Sequence, residues 1–365
     1  MAADPLLHIK DSYYFEVPRF LWQYTNINQI PQWLRDSHAD DHFTLADYQE
    51  HLNGKIIIPQ FFGTPKNLYE PGTGFSVSKF MIIMLVVALI MIFLFTRLAL
   101  HIRSEGAPRG RLWNLLETFV VFLRDQVIRP AIDGGHDDHG HGDHAADGHV
   151  HDDPRHAELV PATAGHGHGA VAAGHAVGGH AAHAHHARES DKFLPYLLTL
   201  FFFVLGCNLF GILPWLGSPT GMFTVTLVLA GCTMLAGLIG GIMKFGPLGY
   251  LTNLVPGMDL PIYMAVILKP FIFVIEVFGL LVKHGILAVR LLANMVAGHL
   301  VIGGIMGLIV AAAASSSAFS YWLTVVIVCF GSMAFFLLEL FVAFLQAYIF
   351  TFLSSLFIGA SIHKH

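Results

Sequence analysis

The sequence predicts an all-α polytopic membrane protein with about five crossings, a long, steeply tilted C-terminal helical hairpin and an amphipathic helix on the inner surface. Three observations lead there. The 365-residue chain is 55% hydrophobic and only 12% charged, about half the charged fraction of an ordinary soluble domain. Several apolar stretches exceed the ~18 residues that mark a membrane span. Two of them are too long to cross a bilayer upright. The net charge of −5 does not suit a nucleic-acid partner. Cys207, Cys232 and Cys329 all lie in apolar runs, so the chain offers no CxxC pair and no disulfide framework.

Residues 1–78 are mixed polar and aromatic, with turn signals at Pro31, Asn53-Gly54 and Pro71-Gly72. They read as an extramembrane segment with some structure. No short basic stretch followed by an apolar core marks a signal peptide there. Residues 79–132 hold a first span and an amphipathic helix. The span covers 79–100, and Arg97, Arg103, Arg109 and Arg111 at its end place that end inside. Over 111–132, Leu112, Leu115, Leu116, Phe119, Leu123 and Val127 recur at helical spacing, while Glu117, Arg124, Asp125 and Arg129 take other positions. That pattern suits a helix lying on the inner surface.

Residues 133–191 form an insert. Its 134–190 stretch is Gly/Ala/His/Asp-rich, carries 14 of the chain's 23 His and has no aromatic residue. Such a stretch buries too little apolar area to offset its ordering entropy, so disorder is expected. His136, His139, His141 and His144 lie close together with Asp nearby, a set able to chelate zinc, copper or nickel. The irregular spacing defines no ligand set, and a linker with incidental metal affinity is the expectation.

Residues 192–365 form the main membrane domain. Two spans, 193–213 and 222–243, are joined by an uncharged turn, and Lys244 puts the end of the second inside. Gly246, Pro247, Asn253, Pro256 and Gly257 suggest a loop. The runs 261–314 and 319–359 follow, 54 and 41 residues long. As continuous helices they would be about 80 Å and 60 Å long, against ~30 Å of hydrocarbon. Neither has a charged loop midway, so two strongly tilted helices in a hairpin are expected.

The hairpin contains charges where charges are costly. Arg290 sits in apolar sequence, at an insertion cost of at least ~2.5 kcal/mol. Each helical residue turns ~100°. Glu276, Lys283 and Arg290 are spaced by seven and share one stripe, with Asn294 about 40° beyond Arg290. His299 faces away from Arg290. In the last run Glu339 and Gln346 share a face, and by depth His299 and Glu339 could meet across the hairpin. Two polar clusters offset in depth, with an arginine between them, suggest two aqueous half-paths that do not connect. Intramembrane Glu and His are common parts of proton relays. Lys283 and Gln346 suit structural or snorkelling roles equally well.

Residues 290–299 read Arg-Leu-Leu-Ala-Asn-Met-Val-Ala-Gly-His. This segment resembles the signature of subunit a of the F-type ATP synthase. Residues 339–350, with Gln346-Ala347-Tyr348-Ile349-Phe350, resemble the same family, as does Asn208-Leu209-Phe210-Gly211-Ile212-Leu213-Pro214. The likeness covers roughly 79–132 and 192–365. It implies a stator subunit, in a bacterial inner membrane or a mitochondrial one, beside a ring of c subunits and with peripheral stalk b subunits and other synthase subunits as partners. Protons would enter by one half-channel, ride on a c-ring carboxylate and leave by the other. Arg290 would be the essential arginine, with Asn294 beside it and Gln346 facing it. His299 and Glu339 would line the outer half-channel, and Glu276 the inner one, with Lys283 and His284 as further inner-path candidates. The His299/Glu339 pair has the order of mitochondrial-type members. His284 stands where the family commonly has Pro, and the His-rich insert has no counterpart.

No cofactor is implied, and no GxxxxGK[ST] motif is present, so nucleotide chemistry would belong to partners. Two alternatives stay open. One is a metal-ion secondary transporter with a His-rich cytoplasmic loop, which an arginine at the site disfavours. The other is a sodium-translocating synthase subunit.

Overall fold

The computed structural model describes residues 11–18, 20–36, 44–60, 62–70, 72–105, 110–133, 189–213, 216–255, 262–313 and 318–363. The candidate ligands His136, His139, His141 and His144, and the disorder expected around them, lie outside the described residues.

The N-terminal segment packs into a small unit. Strand β1 (Tyr14–Glu16) pairs antiparallel with β2 (Lys55–Ile57), Phe15 opposite Ile56. A second ribbon joins β3 (Phe62–Thr64) to β4 (Thr73–Phe75). Helices α1 (Gln32–Asp36) and α2 (Leu45–Leu52) contribute Leu34, Tyr48 and Leu52 to a core with Tyr24 and Ile30. The Tyr14 and Tyr69 hydroxyls lie 2.7 Å apart, and burial with that bond pushes the Tyr14 phenol above its usual range. The unit is tied to the first span. The Lys79 amide donates to the Ser12 carbonyl at 2.8 Å, and Asp11 accepts from the Phe80 amide at 3.3 Å. Asp11 thus serves an amide left open at the start of a helix.

Among the described residues, five helices are long and apolar enough to cross a membrane: α3 (Lys79–Glu105), α6 (Glu189–Ile212), α7 (Phe223–Asn253), α8 (Ile262–Ala313) and α9 (Ala318–Ile362). With their apolar composition they make the chain an all-α polytopic membrane protein. Between α3 and α6 lie α4 (Arg111–Phe122), a π-helical stretch (Leu123–Ile128) and α5 (Arg129–Asp133).

The stretch expected as one surface helix is more deeply engaged than its sequence suggests. Leu123, Val127, Ile128 and Ile132 are fully buried in a core shared with α6, α8 and α9, while Leu112 and Leu115 stay exposed. The π turn keeps Leu123 and Ile128, five residues apart, on the same packed side.

One end of the bundle is held by polar ties. Ser190 Oγ donates to Asp133 at 2.7 Å, and Arg129 pairs with Asp125 at 2.8 Å and Asp191 at 3.2 Å. The His363 ring lies 2.6 Å from the Ile132 carbonyl, and the Asn253 amide donates to the His363 carbonyl at 3.0 Å. The start of α6 and the ends of α7 and α9 therefore meet at α5. Arg124 and Arg129 lie at this end too, the side that the basic residues marked as inner.

Helix α7 runs ten residues further than the span read from sequence, and the expected loop at Gly246 is a kink. Gly246 has φ 75° and ψ 167°, a conformation open to glycine, and helix resumes at Pro247. Small residues of α7 let α9 and its neighbours come close. A Cβ on Gly237 would stand 3.1 Å from Ser361 Oγ, and one on Gly241 would overlap the Tyr250 ring.

Helices α8 and α9 are continuous, 52 and 45 residues long. At ~1.5 Å per residue they measure about 78 Å and 68 Å. Met295 of α8 packs with Ile212, the last residue of α6, and with Ala343 of α9. The 18 residues of α8 past Met295 add about 27 Å beyond the end of its neighbour. An upright α8 would carry that apolar stretch out of the hydrocarbon. Tilt keeps it in.

Candidate functional site

The buried face of α8 is set by His284, Leu287, Ala288, Leu291, Met295 and Gly298, which turn toward the other helices. Ile286, Val289 and Leu300 look outward, 54%, 51% and 44% exposed. The polar stripe runs along the border between these faces. Glu276, Arg290 and Asn294 are half-buried and Lys283 is exposed. Glu276 and Lys283 form an ion pair at 4.0 Å, with side chains 45% and 56% exposed. Among the described residues nothing forms a hydrogen bond or ion pair with the Arg290 guanidinium. One turn on, Asn294 Nδ2 is buried without a hydrogen-bond partner.

Glu339 is 3% exposed, and both its carboxylate oxygens lack a hydrogen-bond partner. One of them lies against Gly298, the residue before His299, where any Cβ would collide with it. The structure thus brings α9's carboxyl beside Gly298, the residue before His299 on α8. His299 is half-buried there. Gln346 is half-buried on α9, beside the buried Ala347. An unpaired buried carboxyl is costly, and within a membrane segment it is a functional candidate.

Glu276, Lys283 and His284 share a second locality. They line a cavity of about 210 Å³ completed by Tyr250 and Asn253 of α7 and by Phe357 and Ser361 of α9. Nothing in the sequence marks Tyr250, Asn253 and Ser361 as site residues. They approach Glu276 only through helix packing, and no spacing within one segment signals that. His284 is 5% exposed, with Nδ1 2.9 Å from the Leu280 carbonyl oxygen and its ring centroid 4.8 Å from that of Phe357.

The Asn208 motif does more than end a span. Asn208 is fully buried, accepts a hydrogen bond from Thr220 Oγ1 at 2.8 Å and donates to the Ala343 carbonyl at 3.4 Å. Thr220 lies in a single 3-10 turn, Pro219–Gly221, whose Ser218 neighbour fills the space beside Gly211. Ala343 is one helical turn from Glu339. Asn208 therefore fixes α9 close to the buried carboxyl.

Fold and site together define a polytopic membrane protein with polar side chains ranged along a long helical hairpin. A family model described as ATP synthase A chain matches residues 175–359. The chain belongs to that family. A Myxococcus xanthus (strain DK1622) protein named ATP synthase subunit a is 42% identical over 185 residues, 48% of this chain and 55% of that protein. A namesake from Anaeromyxobacter dehalogenans (strain 2CP-1 / ATCC BAA-258) is 45% identical over 183 residues, 49% of this chain and 44% of the other. Another, from Chlorobium phaeobacteroides (strain DSM 266 / SMG 266 / 2430), is 30% identical over 346 residues, 90% of this chain and 82% of the other. The chain spans about half the length of the first two relatives and most of the third. With five apolar helices and bacterial relatives, it is a multi-pass protein of the bacterial plasma membrane.

Proposed function

We propose that this chain is the proton-translocating stator subunit of the membrane part of an ATP synthase and carries no catalytic site of its own. The observation that carries the reading is the position of Arg290. It stands with no ion-pair partner among the described residues, on the border of an open apolar face, between the Glu276 cavity on one side and the Glu339–Gly298 contact on the other. A cation left unpaired among apolar helices suits a partner that brings an anion to it.

In this reading the partner is a ring of c subunits whose carboxylates pass the open face of α8. Arg290 attracts the deprotonated carboxylate and stops protons crossing directly between the two half-channels. Asn294 and Gln346 flank it. Glu339 and His299 serve the outer half-channel, and Glu276, with Lys283 beside it, serves the inner one. Peripheral stalk b subunits and the remaining synthase subunits complete the assembly.

Cross-linking tests the ring-facing surface. Ala297 is seven residues from Arg290 and exposed, so it lies within about 20° of the arginine's direction. Ala297→Cys should form disulfides in membranes with cysteines introduced into the c subunit. Adducts from Phe330→Cys on α9 with none from Ala297→Cys would overturn the assignment of this face.

A further inference from the structure

We propose that His284 Nε2 is a proton-accepting station of the cavity shared with Glu276 and Lys283; this rests on the proton-path reading above. The Leu280 carbonyl oxygen, 2.9 Å from Nδ1, can only accept. Nδ1 therefore carries the hydrogen of the neutral ring, and the lone pair lies on Nε2. Nε2 is buried and has no hydrogen-bond partner. The ring is held between its bond to Leu280 and the Phe357 ring at 4.8 Å, so rotation to satisfy Nε2 would break the Leu280 bond. A histidine kept only for packing would be expected to pair both nitrogens or expose one.

The cavity supplies what such a base needs. Its volume, about 210 Å³, holds several waters at ~30 Å³ each, and Glu276, Lys283, Tyr250, Asn253 and Ser361 offer them polar partners. The step is a plain proton transfer. Nε2 is occluded as the ring stands, so a lining side chain must first shift to let a cavity water reach it; an O–H bond of a hydronium ion then breaks, an Nε2–H bond forms, and the positive charge moves from water to imidazolium. Release reverses it. Of the groups lining the cavity, Glu276 favours the imidazolium, Lys283 opposes it, and Tyr250 is the remaining titratable side chain. The α9 wall contributes Phe357, Ala360 and Ser361, none of which titrates. His284 precedes Arg290 by six residues, about 9 Å along the helix axis, so the station lies between the inner polar end and the arginine.

Two measurements on the assembled complex test this. Solid-state NMR with ¹⁵N-histidine, the His284 signal assigned by its loss in His284→Phe, should show Nδ1–H with bare Nε2, converting to the doubly protonated ring as the phase on the Lys244 side is acidified. An Nε2–H tautomer, or a ring that stays neutral throughout, overturns the proposal. Second, His284→Phe keeps a ring against Phe357 but removes the base, and should cut passive proton flux through vesicles by about an order of magnitude or more. Wild-type flux in that variant overturns the station and leaves the Arg290 assignment standing. If the unaltered complex passes no protons, it is the stator reading that fails.

Discussion

The Glu339 carboxylate of α9 rests against the Cα of Gly298 in α8, in space that any side chain at 298 would occupy. Gly298→Ala must push the carboxyl or the helix away, and such overpacking typically costs ~1–3 kcal/mol. The variant should assemble, with proton flux reduced severalfold. Unchanged flux would show that the Glu339 position is not used in transport.

Asn208 links three elements, so its loss should be felt beyond its own helix. Asn208→Ala leaves the Thr220 hydroxyl and the Ala343 carbonyl without this partner, at an expected ~1–3 kcal/mol. Thr220→Val removes one of the same bonds. In a double-mutant cycle on the melting temperature of the solubilised protein, the two effects should be less than additive. Strict additivity would mean that the bond contributes nothing.

Gly246 holds φ 75° with ψ 167°, a region costly for any residue with a Cβ. Gly246→Ala should destabilise by ~1–3 kcal/mol, although nothing stands within 4 Å of the added methyl. An unaltered melting temperature would argue against the kink.

Asp125 sits beside Arg124 at 2.9 Å and Arg129 at 2.8 Å, and its hydrogen bond from Arg124 holds its carboxyl below the usual range. A depressed pKa stabilises the folded state above the unfolded value of ~3.9, and the gain is lost as pH falls through the folded value. At 35% exposure the pair is solvent-screened, so the effect stays below ~1 kcal/mol. Asp125→Asn should lower the melting temperature slightly at pH 7, and the gap should close below pH 4. A gap that persists in acid would assign the loss to packing.

Much of the hairpin was legible because length and period are local quantities. A 52-residue apolar helix cannot stand upright in ~30 Å of hydrocarbon, and 100° per residue puts Glu276, Lys283, Arg290 and Asn294 on one stripe. The same turn angle set His299 apart from Arg290, and the structure brings Glu339 to its neighbour Gly298. What stayed hidden depends on packing between distant segments. Asn208 stands out in the sequence only as part of a family-like motif, because its bond to Ala343 spans 135 positions. Tyr250 and Ser361 gave no periodic signal for a place beside Glu276. The 111–132 helix reads as amphipathic from its pattern, yet its burial against α6 and α9 falls on and after a π turn, which hydrophobic spacing does not announce.

The central claim is that Arg290 divides two proton paths and couples them to a rotating carboxylate. The most direct measurement is proton movement in membrane vesicles carrying Arg290→Ala. The expected result is no ATP-driven acidification, together with a downhill proton leak that a carboxylate-modifying carbodiimide does not stop. ATP-driven acidification at the unaltered rate would contradict it.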